Sequence, residues 1–310
     1  MYRIQVRQPA MTEALNIAQF ETIFGAILAA LFGLAFGSFL NVVLCRMPAG
    51  ESIVAPRSHC RSCTHTLLWW ENVPIVSFLW LRGRCRRCGE VIGWRYPATE
   101  LAIALLWTGI WLRYGLRILP AYATSSWYMD LVLSIAYAIL TWLLVALAAL
   151  DLEHFWLPDV FTLPGIAFGL ILAIFKAWNL SPARHPFAWI SSLWERIVEI
   201  LVCAAIILLI RLIYWLVRRK EGMGLGDAKL MAMLGAWLGL AGALESFALA
   251  VLGAMLAALV WLLICFARGK TKEWASIPLP FGSFLCLAAL SEVFYPSWFS
   301  VWWIGQFLPG

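Results

Sequence analysis

The chain has 310 residues, of which 63% are hydrophobic and 13% charged, with a net charge of +6. A soluble domain usually carries about a quarter charged residues, so this composition excludes an ordinary soluble domain and describes a polytopic membrane protein. Its spans must be helical, because backbone polar groups in lipid have to be paired within the segment.

In chain order, residues 1–22 are mixed in character and precede Ile23–Leu44, an apolar run without a charged residue. That run is longer than the apolar core of a signal peptide, about 7–15 residues, so it is expected to stay in the protein as the first span. Further candidates are Ala98–Leu112 (with Glu100), Leu131–Leu150, Val160–Phe175, Ile197–Leu216 (with Glu199 and Arg211), Ala228–Leu244, Phe247–Ala267 and Phe281–Phe294. The expected fold is therefore an all-α polytopic membrane protein of about eight transmembrane helices. Glu199 and Arg211 read as snorkelling or helix-facing charges.

An even number of spans puts both termini on one side, and the Lys/Arg distribution chooses that side. Segments 45–97, 218–229 and 268–276 hold 8, 4 and 3 basic residues, whereas 1–22, 113–126 and 176–196 hold 2, 2 and 3. Basic residues collect on the cytoplasmic side, so the first set of loops is assigned there. The positive net charge thereby serves topology and calls for no nucleic-acid partner. The 19 Trp residues suit interfacial belts as well as packing.

The expected cytoplasmic loop, residues 48–97, contains "HCRSCTHTLLWWENVPIVSFLWLRGRCRRCGEVIGWRYP". Two C-x-x-C pairs, Cys60/Cys63 and Cys85/Cys88, stand 21 residues apart. This is close to the spacing of a two-knuckle zinc ribbon, in which four thiolates form a tetrahedron. Neighbouring arginines favour the thiolate form. Disulfides are the alternative, disfavoured in a reducing compartment. Four cysteine ligands leave no open position for substrate, so the expected Zn2+ is structural, a staple for a loop with few core residues. His59 and His65 read as surface histidines, and Cys45, Cys203, Cys265 and Cys286 as small core residues.

Further on, "LLVALAALDLEHFWLPDVFTLPG" places Asp151 after a long apolar run and Pro158-Asp159 at the start of the next one. Asp159 is an ordinary N-terminal acid. Asp151 is not, since a helix C-terminus disfavours negative charge, and an ionisable group there suggests function. Asp227 follows Gly224-Leu225-Gly226 on the same side of the membrane by the charge count. Two glycines let the backbone turn sharply or let another segment approach closely. If the two helices pack together, the carboxylates share a proton, since like charges a few ångström apart cannot both ionise. Such a dyad can deprotonate a water with one member and protonate a departing amine with the other, as in aspartic proteases. A proton relay in a transporter and a pair of helix caps remain open.

Several ordered motifs together resemble the type IV prepilin peptidases, bifunctional leader peptidase/N-methyltransferases of bacterial pilus and type II secretion systems. They are "FGSFLNVVLCRMP" (36–48), the cysteine tetrad, "ENVP" (71–74), "RYPATE" (95–100), the D-x6-P-D segment (151–159), "GMGLGDAKL" (222–230) and "PLPFG" (278–282). The resemblance implies a multi-pass protein of the bacterial inner membrane, with its large loop and active site at the cytoplasmic face. It also implies that Asp151 and Asp227 form the catalytic pair, with Gly224 and Gly226 shaping the turn. The expected substrates are type IV prepilins or pseudopilins, cut after a glycine that ends a short basic leader. The new N-terminus would then be methylated with S-adenosylmethionine. No G-x-G-x-G follows a strand, so a Rossmann-type cofactor site is not expected; Glu71, Asn72, Arg95 and Tyr96 are the polar candidates for holding the methyl donor.

The expected organisation is an N-terminal segment and first helix (1–47), a zinc-binding loop (48–97) and a transmembrane aspartyl peptidase bundle (98–310). Two departures from the family pattern, Arg61-Ser62 in the first knuckle and Ser283 after "PFG", are expected to touch neither a ligand nor an acid. Competing readings are a proton-coupled transporter, for which no inverted repeat is visible, a membrane-anchored zinc-ribbon binding module, and a G-x-G-D protease with other transmembrane substrates.

Overall fold

A computed structural model of the chain describes residues 11–115, 127–180, 188–219, 224–268 and 279–295. Parts of the basic loops counted above, including Lys220, Lys270 and Lys272, lie outside the described residues, as do Gly222, Met223 and Pro278 of the quoted motifs. The described helices are α1 (Met11–Arg46), α2 (Val76–Trp80), α3 (Arg95–Arg113), α4 (Trp127–His154), α5 (Asp159–Leu180), α6 (Ala188–Arg218), α7 (Leu225–Ala267) and α8 (Phe281–Phe294). Among the described residues there is no strand, only two isolated bridges in the loop between α1 and α3. The all-helical expectation holds.

The chain divides into two compact units, one up to Trp142 and one from Leu143 onward. In the first, α1 lies against α3 at backbone contact. A Cβ on Gly33 would stand 2.6 Å from the Ala104 Cα, and one on Gly37 2.6 Å from the Glu100 Cα. This small-x-x-x-small spacing is what lets apolar helices pack without a hydrophobic drive between them. Asn41 locks the pair: its amide donates to the Tyr96 carbonyl at 3.0 Å, and its oxygen accepts the Thr99 hydroxyl at 2.6 Å. In the second unit Gly165 and Gly169 do the same for α5 against α7, where the Trp237 indole N–H donates to the Gly165 carbonyl at 2.8 Å.

Five helices among the described residues are long and apolar enough to cross a membrane, namely α1, α4, α5, α6 and α7. By this measure the expected eight spans are not established. The helix α3 carries Arg95, Glu100 and Arg113, α8 has only 14 residues, and two expected spans fall on α7. At 43 residues a straight α7 would be about 65 Å long, twice the ~30 Å of a hydrocarbon core. Yet both Gly226 near its start and Gly282 at the start of α8 abut Leu157. The link from 268 to 280 reaches about 45 Å at most, so α7 must turn back within itself.

It does so at Gly239, where φ is 77° and ψ 177°. Only glycine adopts such a backbone readily. Arg196 of α6 serves the break, donating to the Gly235 carbonyl at 3.2 Å while pairing with Glu199 at 2.9 Å. The charge of Glu199 thus faces a helix, as expected. The turn lies inside the expected span Ala228–Leu244 rather than beside Glu245, because apolar residues on both sides of Gly239 hide it from hydropathy.

Candidate metal centre and active site

The loop after α1 builds two knuckles of one design. In the first, the Cys60 N–H donates to His65 O and the Thr64 N–H to Cys60 O, both at 2.9 Å. In the second, the Cys85 N–H donates to Glu90 O at 2.8 Å and the Gly89 N–H to Cys85 O at 2.9 Å. Thr64 and Gly89 hold the same left-handed position, with φ of 54° and 72°. Each C-x-x-C segment is thereby curled so that its two sulfurs point one way.

All four sulfurs of Cys60, Cys63, Cys85 and Cys88 lie within 4.8 Å of one another, and the cross-knuckle pairs Cys60–Cys88 and Cys63–Cys85 stand 3.8 and 4.0 Å apart. A tetrahedron with metal–sulfur bonds of about 2.3 Å has edges of about 3.8 Å, so the tetrad fits such an ion. All four thiols are free. Hydrogen bonds from the backbone N–H groups of Cys88 and Arg87 hold the Cys85 thiol down to about 7. At Cys88 the Glu90 N–H pulls down, but local desolvation and contacts with the other thiols push it up to about 12. A metal ion takes such sulfurs as thiolates, so its binding releases their protons. His59 and His65 stay outside the tetrad: His59 Nδ1 lies 3.1 Å from Arg57 O and His65 Nε2 3.6 Å from Glu71 Oε2.

Beside the tetrad, within the first unit, lies a cavity of about 610 Å³ whose lining includes Asn41, Glu71, Asn72, Phe78, Tyr96 and Glu100. Three of the four residues expected to hold the methyl donor, Glu71, Asn72 and Tyr96, are among the lining. Arg95 opens α3 and is not. The Tyr96 hydroxyl lies 3.2 Å from Cys45 Sγ, and Glu100 accepts the Ile75 N–H at 2.7 Å.

In the second unit Asp151 sits in the last turn of α4 and Asp227 in the first turn of α7, both buried at 6% and 8% exposure. The conflict between Asp151 and the dipole of its own helix is resolved by another helix. At the N-terminus of α8, the Ser283 N–H donates to Asp151 Oδ2 at 2.7 Å. The Ser283 hydroxyl reaches the same oxygen at 3.2 Å and the Ala148 carbonyl at 2.8 Å. A helix N-terminus favours the negative charge that a C-terminus opposes. The expectation that Ser283 touches no acid is overturned. The sequence hid the contact because Ser283 and Asp151 are far apart along the chain, and only the fold of α8 joins them.

Asp227 is held by its own turn, accepting the Gly224 N–H at 3.2 Å in a capping arrangement. Gly224 has φ −75°, ordinary extended backbone. Close approach matters more than sharp turning: a Cβ on Gly226 would stand 2.9 Å from Leu157 Cβ. One on Gly282 would stand 3.0 Å from both the Asp151 carboxyl carbon and Leu157 Cδ1. Leu157, in the link between α4 and α5, is therefore wedged between the start of α7, which carries Asp227, and the start of α8, which holds Asp151. Asp151, Asp227 and the Cys286 thiol are all buried in this unit. At the exposed rim Lys229 pairs with Asp159 at 2.6 Å, joining the starts of α5 and α7.

Fold and site together define a helical multi-pass membrane protein with a buried pair of aspartates and a separate tetrad able to hold a metal ion. Residues 31–114 match the Bacterial Peptidase A24 N-terminal domain, and residues 138–263 match the Type IV leader peptidase family. The chain is 33% identical to a Prepilin leader peptidase/N-methyltransferase of Pseudomonas putida, over 91% of this chain and 92% of that one. It is 36% identical to the protein of that name from Myxococcus xanthus, over 84% of this chain and 69% of that one. With that of Pseudomonas aeruginosa it shares 34%, over 83% and 86%. No solved structure gives a significant match. The chain belongs to the type IV leader peptidase family, and membership makes it a membrane-bound protease with methyltransferase activity.

Proposed function

We propose that the chain removes the basic leader from type IV prepilins or pseudopilins, with Asp151 and Asp227 as the catalytic pair. The observation that carries this reading is the burial of both carboxylates beside one residue, Leu157, which packs against Gly226 next to Asp227 and against Gly282 next to the Asp151 carboxylate. One carboxylate, ionised, takes a proton from a water as its oxygen attacks the scissile carbonyl carbon. The other, protonated, gives its proton to the carbonyl oxygen. In the second step the amine nitrogen takes a proton from the first acid as the C–N bond breaks, and the hydroxyl proton of the intermediate returns to the second. The leader leaves with a carboxyl group at its terminal glycine, which gives its proton to solvent, and both acids end as they began.

The site lies at the cytoplasmic face of the bacterial inner membrane, where the Lys/Arg distribution puts the loops around Asp151 and Asp227. A prepilin whose apolar helix lies in the membrane and whose basic leader lies in the cytoplasm presents its scissile bond at that depth. Peptidase chemistry resides in the part of the expected 98–310 bundle that begins at Leu143. Gly224 and Gly226 shape its entrance, the latter by admitting Leu157.

The Cys60, Cys63, Cys85 and Cys88 tetrad holds a structural zinc ion, since four thiolates close its coordination sphere. The cavity beside it, at about 610 Å³, is within the range of small-ligand sites and holds the methyl donor, with Glu71, Asn72 and Tyr96 in its lining. S-adenosylmethionine bound there would supply an electrophilic methyl group for the new N-terminal amine. Arg95, outside the lining, supports the start of α3.

Mass spectrometry of a prepilin-like substrate, after incubation with the protein in lipid and S-adenosylmethionine, tests both halves. The expected product has lost its leader at the glycine junction and gained ~14 Da, one methyl replacing hydrogen. An uncut substrate contradicts the peptidase reading, and a cut but unmethylated product contradicts the second half alone.

A further inference from the structure

Several polar groups that line the cavity of the first unit are engaged within the protein or open to water. Arg46 donates to the carbonyls of Ser52, Pro56 and Arg57. Glu100 holds the Ile75 N–H, and Tyr96 meets Cys45. Glu51 and Glu90 are exposed to water.

Glu71 is different. It lies in the short 3-10 turn Trp69–Asn72, and its side chain is 1% exposed. One oxygen, Oε2, accepts the Leu68 N–H at 2.8 Å, which fixes the carboxylate in place. The other, Oε1, is buried with no hydrogen-bond partner among the described residues. Such an oxygen is costly to leave bare in the folded state. Its nearest cation is Arg86 Nη1 at 4.0 Å, and that guanidinium stands over the Trp70 ring, 4.8 Å from the centroid. Positive charge is therefore already at hand, and what the oxygen lacks is a short donor.

We infer that Glu71 reads the nucleoside part of the methyl donor, with Oε1 accepting a hydrogen bond from a ribose hydroxyl of an adenosyl ligand bound in this cavity. The inference rests on the methyl-transfer reading above and adds the group that selects the ligand. A hydroxyl satisfies the bare oxygen without crowding a second cation against Arg86. Phe78 and Tyr96, also in the lining, supply aromatic rings against which a base can pack.

The test uses the full-length protein in lipid nanodiscs and three probes: S-adenosylmethionine, 5′-methylthioadenosine, and the 2′,3′-dideoxy analogue of the latter. 5′-Methylthioadenosine keeps the ribose hydroxyls but has neither the sulfonium charge nor the amino-acid part. A hydrogen bond to a charged acceptor contributes about 1.5–3 kcal/mol, or about 10–100-fold in affinity. Glu71→Leu is therefore expected to weaken 5′-methylthioadenosine by about 30-fold and to leave the dideoxy analogue, already weak with wild type, nearly unchanged.

Metal content and thermal melting report whether the variant is folded; if it is not, Glu71→Gln enters the same cycle with an expected loss of about tenfold. Equal losses for both nucleosides, or no loss for either, overturn the assignment while the methyl-transfer reading stands. A loss seen with S-adenosylmethionine alone overturns it too, because that would assign Glu71 to the cationic part. If wild type binds none of the three probes, the cavity is not the donor site and the reading beneath falls with it.

Discussion

Two buried carboxylate sites, one in each unit of the chain, are held in different ways. In the unit from Leu143 onward, each of the two acids is met by donors that the chain itself supplies. The α8 N-terminus serves Asp151, and the Gly224 N–H serves Asp227. In the unit up to Trp142, Glu71 has one oxygen tied to the backbone and the other left bare beside a cavity. On the proposed roles, acids that act on a water and a peptide bond are positioned by fixed dipoles, whereas an acid that recognises a ligand keeps an acceptor for it. The comparison also separates two uses of glycine. Gly226 and Gly282 bring segments close around the aspartates, while Gly89 gives a thiol knuckle its left-handed turn.

Four changes sharpen this contrast or break it. The largest effect is expected at the aspartates, where Asp227→Asn should lower the rate of leader cleavage by about 10³-fold or more, read from the processing of a prepilin-like substrate. A small residual loss would mean that the buried pair is structural. Next, Gly282→Ala puts a methyl group where the Asp151 carboxylate and Leu157 now stand, 3.0 Å from each. A misplaced acid costs about 10²-fold, and the loss should fall on kcat with little change in KM.

The metal tetrad should respond to pH rather than to these changes. The thiolate is the ligand, and Cys85, with its thiol near 7, is largely ionised above that value and protonated below it. Metal affinity therefore falls as pH drops through about 7, and competition with a chelator should show zinc held at least about tenfold more weakly at pH 6 than at pH 8. The smallest effect is expected for Ser283→Ala, which removes the hydroxyl contacts to Asp151 and Ala148 but keeps the 2.7 Å N–H bond. At about 1 kcal/mol the loss in cleavage rate should be about fivefold. A loss as large as that of the aspartate variants would show that the hydroxyl, not the backbone, positions Asp151.

Sequence alone was enough where chemistry sits in short spacings. The C-x-x-C pairs announced the tetrad, and the charge of Asp151 at the end of an apolar run marked it as out of place. The remedy for that charge was not legible, because Ser283 is brought to Asp151 only by the packing of α8. The turn within α7 was equally hidden: Gly239 stands among apolar residues, and its partner Arg196 belongs to a different helix. Glu71 was singled out as a polar residue of the loop, but that one of its oxygens is bare depends on which neighbours the knuckles leave within reach.

The central claim is that Asp151 and Asp227 work as one pair, and the direct measurement is the cleavage rate of both single Asn variants beside the double variant Asp151→Asn/Asp227→Asn. Residues that act as a unit are strongly non-additive, so the double variant should be no slower than the worse single one, with all three near the background rate. Losses that multiply, or a single variant that still cuts at a substantial fraction of the wild-type rate, would contradict the account.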